Sequence, residues 1–389
     1  MTLLRHVTPA IHRLDDAIGR IGPRRDVLIE LRTPVYQAVL GPIASGLGAR
    51  QDVNVWFTSE YPDRIRPLVG SERFLTHADV EWRRFALYLN ADPWAAARLR
   101  RCAHRMNFFH GVAGKYDLDR PDGLPMGFEI YDRVAFINRD RMQRYVDAAI
   151  VTERQAALVG YPKLDALVNG EIDGARVRAS LGLDDAHPTV LYAPTYSEAS
   201  SLHLAGERIV QTFDAAGFNV IIKLHDRSLD ADPRYNGGID WRRRFATIER
   251  PGRVRFVEHA DACPLLAAAD LLVTDHSSIG FEYLVLDRPL LVFDAPDLPR
   301  TARINPEKIA LLRSAAVVAG TPGDLVSAAR AELANPGRLA PARRRVAGDM
   351  FHEPGGATRR ALDLIARVLR PGRQGVEALG ADTVAGGTS

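Results

Sequence analysis

The sequence is poor in cysteine, in net charge and in long apolar runs. Its 389 residues include only two cysteines, Cys102 and Cys263, and no CxxC pair, so neither a disulfide framework nor a structural zinc site is expected. The 51 Lys and Arg residues nearly balance the 48 Asp and Glu residues, which argues against bulk nucleic-acid binding. No run approaches the roughly 18 apolar residues that a membrane span needs. No carboxylate cluster indicates a bound metal, and no cofactor is expected.

Composition and length predict a globular protein of two domains. Hydrophobic residues make up 46% and charged residues 25% of the chain, which is an ordinary globular balance. A chain of 389 residues is too long for one ordinary core. Residues 1–25 are charged throughout and lack the apolar stretch of a signal peptide, so we expect a cytoplasmic protein. The Gly-, Ala- and Thr-rich tail, 371–389, is expected to be disordered.

Short apolar runs alternate with helical stretches along the whole chain. The predicted strands are 26–31, 54–58, 73–77, 107–111, 134–138 and 157–160, then 189–195, 218–225, 254–257, 271–274 and 289–293. The predicted helices are 59–68, 204–216, 262–269, 278–286 and 357–369. This alternation predicts an α/β protein with mainly parallel sheets covered by helices on both faces.

Gly160-Tyr161-Pro162 interrupts the pattern and predicts a domain boundary. We therefore expect one domain over 1–160 and a second over 161–354. The helical stretch within 355–370 is expected to pack back on the first domain.

Polar residues stand at the predicted carboxyl ends of four strands. They are His110, Thr195, His225 and Asp275. Ligands of open α/β sheets bind at such strand ends. Two facing domains would therefore direct these four side chains into a shared cleft.

A polar turn between a buried strand and a helix is the most informative feature of the chain. The helix is predicted to begin at Ser277 and Ser278, where unpaired backbone N–H groups and the helix dipole favour a phosphate. Glu282 falls one turn further along the same helix side, where it could accept hydrogen bonds from a sugar. This combination indicates an enzyme that uses a phosphate-containing, nucleotide-linked donor.

Several motifs follow one another in an order that is similar to that of a known family. They are His110-Gly111 with Lys115, Gly160-Tyr161-Pro162-Lys163-Leu164-Asp165, Leu191-Tyr192-Ala193-Pro194-Thr195, Lys223-Leu224-His225 and Thr274-Asp275-His276-Ser277-Ser278. Over residues 107–361 the series resembles the CDP-glycerol glycerophosphotransferases, the teichoic-acid polymerase and primase family. The resemblance implies a GT-B-like fold of two facing Rossmann-like domains.

The resemblance also implies an activity. Family members transfer a polyol phosphate, such as glycerol phosphate or ribitol phosphate, from a CDP-linked donor to a hydroxyl acceptor, and they release CMP. The two family histidines correspond to His110 and His225, and the paired serines that contact the donor pyrophosphate correspond to Ser277 and Ser278. The first domain would then bind the acceptor, lipid-linked or an oligosaccharide, and the second the donor. Peripheral contact with the inner face of the membrane is part of this expectation.

The chain departs from the family pattern at two places. Val112-Ala113-Gly114 stands where the family often has Thr-Pro, and Asp226 stands where it often has Pro. The identities of the polyol and of the acceptor therefore stay open.

The candidate residues have structural readings beside the functional ones. His110 is either the base that takes the acceptor's hydroxyl proton, since imidazole titrates near pH ~6.5, or a packed strand-end residue. His225 either contacts the donor phosphate or is structural. Lys223 either binds phosphate or is a solvated or salt-bridged lysine. The two serines are expected both to cap the helix and to bind phosphate.

The remaining four residues are less specific. Asp275 sits at the donor site, yet a carboxylate would repel a pyrophosphate, so we expect it to orient the turn or a neighbouring histidine. Thr195 either touches the donor's phosphate or base or belongs to an ordinary turn. Glu282 is either a ribose ligand or an exposed helix residue, and His276 either joins the site or is exposed in the loop.

Three functions are compatible with these residues. The first is the CDP-polyol transferase of cell-surface polymer synthesis. The second is a GT-B glycosyltransferase, or a UDP-sugar 2-epimerase relative, in which UDP would leave. The third is a non-catalytic nucleotide-binding subunit of a capsule assembly complex.

Overall fold

A computed structural model describes residues 24–92, 101–115, 127–230, 232–259 and 261–370. Within these ranges the chain forms two six-stranded sheets, and every pair of neighbouring strands runs parallel. This confirms the expected α/β class. The predicted disordered tail, 371–389, lies outside the described residues.

Each sheet is a contiguous stretch of the chain. The first comprises β1 Arg25–Glu30, β2 Val53–Thr58, β3 Phe85–Asn90, β4 Cys102–Phe108, β5 Arg133–Phe136 and β6 Ala156–Leu158, in the order β2-β1-β3-β4-β5-β6. The second comprises β7 Thr189–Tyr192, β8 Asn219–Ile222, β9 Val254–Phe256, β10 Leu271–Thr274, β11 Leu290–Phe293 and β12 Val317–Ala319, in the order β12-β11-β10-β7-β8-β9. The central strands are continuously apolar because helices cover both faces.

Helices connect the strands and cover the sheets. They are α1 Pro34–Gly48, α2 Pro62–Val69, α3 His77–Trp82, α4 Arg139–Asp147, α5 Asp165–Val168, α6 Gly174–Ser180, α7 Ser201–Ala215, α8 Pro233–Asn236, α9 Trp241–Ala246, α10 Cys263–Ala268, α11 Ser278–Tyr283, α12 Leu298–Thr301, α13 Pro306–Ser314, α14 Pro322–Ala334, α15 Ala340–Met350 and α16 Ala357–Leu369. Short 3₁₀ turns occur at Ser71–Arg73, Phe128–Ile130, Pro162–Leu164, Asp226–Leu229 and Leu284–Leu286. No helix in these ranges is long and apolar enough to cross a membrane.

One predicted strand is wrong. The stretch 73–77 is not a strand, because Thr76 begins α3 with a capping box. The Thr76 hydroxyl accepts a hydrogen bond from the Asp79 amide at 3.2 Å, and the Asp79 carboxylate accepts one from the Thr76 amide at 3.0 Å. Local side-chain capping therefore outweighs the apolar character of this segment. The third strand is β3 instead, and neither β3 nor β12 is among the predicted strands.

The strand orders place a crevice in each sheet. In the first sheet the order reverses at β1, between β2 and β3, and in the second it reverses at β7, between β8 and β10. Loops that leave the two strands beside such a switch point separate to opposite faces and open a binding crevice. The crevices therefore lie beyond the carboxyl ends of β1 and β3, and of β7 and β10.

The segment after the second sheet returns to the first. Helix α16 lies against α1, where Gly46 lets Leu362 approach the backbone closely. Its first turn is held by Asp165, whose carboxylate accepts hydrogen bonds from the amides of Ala357 at 3.1 Å and Thr358 at 2.6 Å. The aspartate of the Gly160–Asp165 motif thus ties the crossover between the sheets to the last helix.

Candidate functional site

His110 lies just beyond β4, and its ring is oriented by two contacts. Nδ1 donates a hydrogen bond to the carbonyl oxygen of Ala91. Nε2 lies 3.4 Å from the Tyr36 hydroxyl, and the two rings are 4.6 Å apart. Burial lowers the pKa of His110, so the ring is neutral at physiological pH. Because the proton resides on Nδ1, Nε2 carries the lone pair that a general base needs.

A buried carboxylate stands behind Tyr36. Asp92, which is 5% exposed, accepts hydrogen bonds from the Tyr36 hydroxyl at 3.1 Å and from Arg32 Nη1 at 3.0 Å. These residues follow β1 and β3, at the crevice of the first sheet. None of the three is a predicted site residue, because no short motif of the sequence contains them.

His225 follows β8 and presents the opposite tautomer. Its Nδ1 accepts a hydrogen bond from the Arg227 amide at 3.1 Å, so neutral His225 carries its proton on Nε2 and can donate it to an anion. The side chain is exposed to the cleft, yet enclosure by protein lowers its pKa, and the charges of Lys223, Lys115 and Arg227 lower it further.

The two histidines are near enough for their charges to interact. His110 contributes to lowering the pKa of His225, and Arg227 lowers the pKa of both imidazoles. His110, which follows a strand of the first sheet, and His225, which follows a strand of the second, are thus electrostatically coupled.

The paired serines lie next to the His110 turn. Both are half-buried and stand at the start of α11. Ser277 occupies the N-cap position, but its side chain makes no cap hydrogen bond, so the expected side-chain cap is wrong. The Ser278 hydroxyl oxygen accepts a hydrogen bond from the Val112 amide at 3.3 Å. Gly111 adopts a φ of 72°, and a Cβ there would lie 4.0 Å from the Ser278 oxygen. The left-handed backbone at this position favours glycine, which has no Cβ to strain it.

Lys115 is a cation of the cleft that belongs to the first motif of the series but carries no predicted role. Its Nζ donates to the Thr195 hydroxyl at 2.8 Å, and burial lowers its pKa to about 8. Thr195 is 1% exposed and donates in turn to the His276 carbonyl at 2.9 Å. Thr195 therefore holds the Lys115 side chain in place. Its hydroxyl is not available to bind the phosphate or base of a donor substrate.

Asp275 is a structural residue, which corrects its placement among the donor-binding residues. The side chain is 1% exposed. Its carboxylate accepts hydrogen bonds from the Thr195 amide at 3.0 Å, the Ser201 amide at 3.0 Å and the Ser201 hydroxyl at 2.9 Å. It thus binds the exit loop of β7 to the start of α7. The expectation that it orients the turn fits these contacts, whereas orientation of a histidine does not.

Glu282 is neither an exposed helix residue nor open to a ribose. It is 2% exposed, and its Oε2 lies 2.6 Å from the Nζ of Lys163. Burial lowers the pKa of Lys163, but Glu282 together with Tyr161, Cys263 and Asp261 outweighs burial and raises the pKa above its ordinary value. Both partners are therefore charged, and the pair joins α11 to the crossover segment.

Lys223 and His276 are also buried. Lys223 is 8% exposed and its Nζ donates to the Leu224 carbonyl at 3.2 Å, so it is not a solvated lysine. His276 is 6% exposed and its Nε2 donates to the Ala113 carbonyl at 3.2 Å, so it is not an exposed loop residue. Lys223 still acts on His225, because its charge lowers the pKa of that imidazole. Across the described ranges, no group of three His, Cys, Asp or Glu residues could hold a metal ion.

Part of this site lies in a segment that is similar to a known family. Residues 129–301 match the model of the family described as CDP-glycerol:poly(glycerophosphate) glycerophosphotransferase. That range includes His225 and both serines, whereas His110 precedes it. The chain is also 24% identical over 177 residues to the teichoic acid poly(glycerol phosphate) polymerase of Staphylococcus epidermidis. This match covers 42% of the chain and 22% of that longer protein.

Solved structures match over nearly the whole chain. A variant of the wall teichoic acid polymerase TagF superposes with a TM-score of 0.68 at 16% identity, covering 94% of this chain and 96% of that one. A UDP-GlcNAc 2-epimerase from Neisseria meningitidis, solved with UDP-GlcNAc, superposes with a TM-score of 0.57 at 13% identity, covering 88% of this chain and all of that one. These likenesses confirm the expected GT-B-like fold. The segment 129–301, which is less than half of the chain, is similar to the CDP-glycerol glycerophosphotransferase family.

Proposed function

We propose that the protein transfers a polyol phosphate from a CDP-linked donor to a hydroxyl acceptor and releases CMP. The observation that carries the proposal is the pairing of opposite tautomers across one cleft. His110 offers a bare Nε2, and His225 offers an Nε2–H. One side of the cleft can therefore accept a proton while the other binds an anion.

In the proposed reaction the acceptor oxygen attacks the phosphorus that bears the polyol. The acceptor's hydroxyl proton passes to Nε2 of His110 as the new P–O bond forms. The bond from this phosphorus to the CMP oxygen breaks, and CMP leaves with the electron pair. The step requires no redox partner, and its charge change falls on the phosphate oxygens.

Cationic and hydroxyl groups are placed to stabilise that charge. His225 is electrostatically coupled to Lys115 and to His110, and Ser278 at the start of α11 contacts Val112, two residues after His110. The charge of Lys115 lowers the pKa of His225, as expected of two groups that share one anion site. Preorganised donors of this kind typically contribute about 3–4 kcal/mol each to transition-state stabilisation.

Nucleotide binding discriminates this proposal from its main competitor. The likeness to a UDP-GlcNAc 2-epimerase makes a UDP-sugar enzyme the specific alternative. The family match and the higher TM-score of the teichoic acid polymerase favour cytidine. We expect CMP and CDP to raise the melting temperature of the protein and UDP to leave it unchanged. Stabilisation by UDP alone would contradict the CDP-polyol proposal.

The chemistry is tested by CMP release and product mass in the presence of CDP-glycerol or CDP-ribitol. His110→Asn is expected to reduce the transfer rate about 100-fold or more while CMP still binds, because it removes the base. His225→Asn is expected to weaken both rate and donor affinity. His187→Asn, on the surface beside Asp184, serves as the matched control. Equal rates in all three variants would contradict the roles of the two cleft histidines and favour a non-catalytic subunit.

The wider assignment follows from the same proposal. We place the reaction in cell-surface polymer synthesis, with a lipid-linked or oligosaccharide acceptor bound on the side of the first sheet. Contact with the inner face of the membrane would bring such an acceptor to His110. Flotation of the full chain with vesicles of anionic lipid tests this part, and recovery only in the bottom fraction would contradict it.

A further inference from the structure

Three residues at the crevice of the first sheet have no place in the reaction described so far. Arg32 follows β1, Tyr36 lies in the first turn of α1, and Asp92 follows β3. They form a chain of contacts to His110, in which Arg32 contacts Asp92, Asp92 contacts Tyr36 and Tyr36 contacts His110. Tyr36 is 7% and Asp92 is 5% exposed, so this is a built, enclosed arrangement rather than a surface contact.

We propose that Tyr36 and Asp92 are positioning residues that orient His110 and stabilise its protonated form. The Tyr36 hydroxyl donates its hydrogen to Asp92 at 3.1 Å, and this leaves the phenolic oxygen facing His110 Nε2 at 3.4 Å. That oxygen can accept a hydrogen bond from Nε2–H once the imidazole has taken a proton. The role in catalysis rests on the proposed function, but the coupling between the three side chains does not.

The charges around His110 show why such a pair is needed. Arg141, whose Nη1 donates to the Gly111 carbonyl at 2.7 Å, and Arg227 both lower the pKa of His110. Burial lowers it more than either, and His225 is a further basic group across the cleft. Against these, the carboxylate of Asp92 raises the pKa. Without Asp92, His110 would be a weaker base in a cleft built to bind anions.

Arg32 adjusts the strength of this effect. It lies 3.0 Å from Asp92 Oδ2 and 3.5 Å from Glu60 Oε2, and its side chain is 37% exposed. It thus holds the carboxylate in place and offsets part of its charge. Tyr36 has its pKa raised by burial and by Asp92, so it stays protonated and acts as a neutral bridge.

The coupling is tested first on the resting protein, without substrate. NMR titration of histidine-labelled full-length protein, with His110→Asn to assign the signal, gives the proton affinity of His110. Asp92→Asn should lower that affinity by about 3–10-fold, because it removes the stabilising charge. Tyr36→Phe should lower it less, in the same direction. Tyr88→Phe removes another buried tyrosine hydroxyl from a carboxylate, that of Glu30, and should leave His110 unchanged.

Kinetics then tests the catalytic consequence. In the pH profile of kcat/KM with CDP-glycerol, the acid limb reports loss of neutral His110. In Asp92→Asn the acid limb should move to lower pH, with kcat reduced roughly 10-fold, and Asp92→Glu should recover part of both. A general loss of structure would lower kcat without moving the limb.

The outcomes separate the two proposals. If His110 titrates in Tyr36→Phe and Asp92→Asn as it does in the wild type, the positioning role is refuted. It is also refuted if Tyr88→Phe moves the titration by the same amount as the other two variants. If the wild type transfers nothing from CDP-glycerol or CDP-ribitol, the proposed function fails, while the NMR titration still decides whether Tyr36 and Asp92 govern His110.

Discussion

Replacing Glu282 by Gln tests whether this residue supports the fold or binds a ribose. Its Oε2 lies 2.6 Å from Lys163 Nζ, and the two side chains are only 3% and 7% exposed. The substitution keeps the size of the side chain but leaves the Lys163 ammonium buried without its counter-charge. Removing one partner of a buried pair typically costs about 3–5 kcal/mol. We expect a loss of that size in the free energy of unfolding.

A surface pair provides the matched control. Glu258 Oε1 lies 2.8 Å from Arg242 Nε, yet these side chains are 46% and 51% exposed. Solvent screens such a pair, so Glu258→Gln should cost about 0–1 kcal/mol. Similar hydrogen-bond lengths thus predict different costs, and burial accounts for the difference.

Urea unfolding followed by fluorescence and far-UV circular dichroism measures both variants. A double variant, Lys163→Met with Glu282→Leu, should recover most of the stability lost in Glu282→Gln, because no buried charge remains. Wild-type stability in Glu282→Gln would refute the reasoning. If Glu282→Gln had wild-type stability but a lower affinity for CMP, the result would instead support Glu282 as a ribose ligand.

Three further results are expected. CDP affinity should fall as pH rises above about 8, since Lys115 then loses its charge, and calorimetry of Lys115→Arg should show no such fall. Asp275→Asn should cost about 1–3 kcal/mol in urea unfolding, because Asn keeps only one acceptor oxygen and its NH₂ group would face a buried donor of Thr195 or Ser201, and unchanged stability would contradict this role. Gly160→Ala should destabilise more than Gly217→Ala in thermal unfolding. Both have φ near 90°, but only at Gly160 would a Cβ meet a backbone oxygen, at 2.6 Å; equal losses would contradict the predicted clash.

Local sequence patterns predict much of the fold. A buried strand must be apolar and must end where polar residues begin, so runs such as 271–274 predict β10 and its exit loop directly. The expected last helix, 357–369, has the bounds of α16. The same logic failed at 73–77, where a hydrogen bond between Thr76 and Asp79 decides the conformation and the apolar residues do not.

Local sequence patterns predict only part of the candidate site. The order of the motifs marks His110, His225 and the two serines, because chemistry at strand ends leaves a local signature. It does not reveal that Asp275 faces inward, although the same turn carries the serines outward. The direction of each side chain depends on what packs above the turn, and those groups come from other parts of the chain.

Local residue order therefore accounts for which strands and helices form and for the histidines at their ends. The partners of those residues follow from topology, since Tyr36 and His110 lie 74 residues apart, and Lys163 and Glu282 lie 119 apart. Neighbouring parallel strands are joined by long connections, so residues that meet at their ends are far apart in the sequence. Burial then determines the role of each charged group. A carboxylate in an exposed ion pair contributes little to stability, whereas one in a buried ion pair is needed to balance its partner's charge.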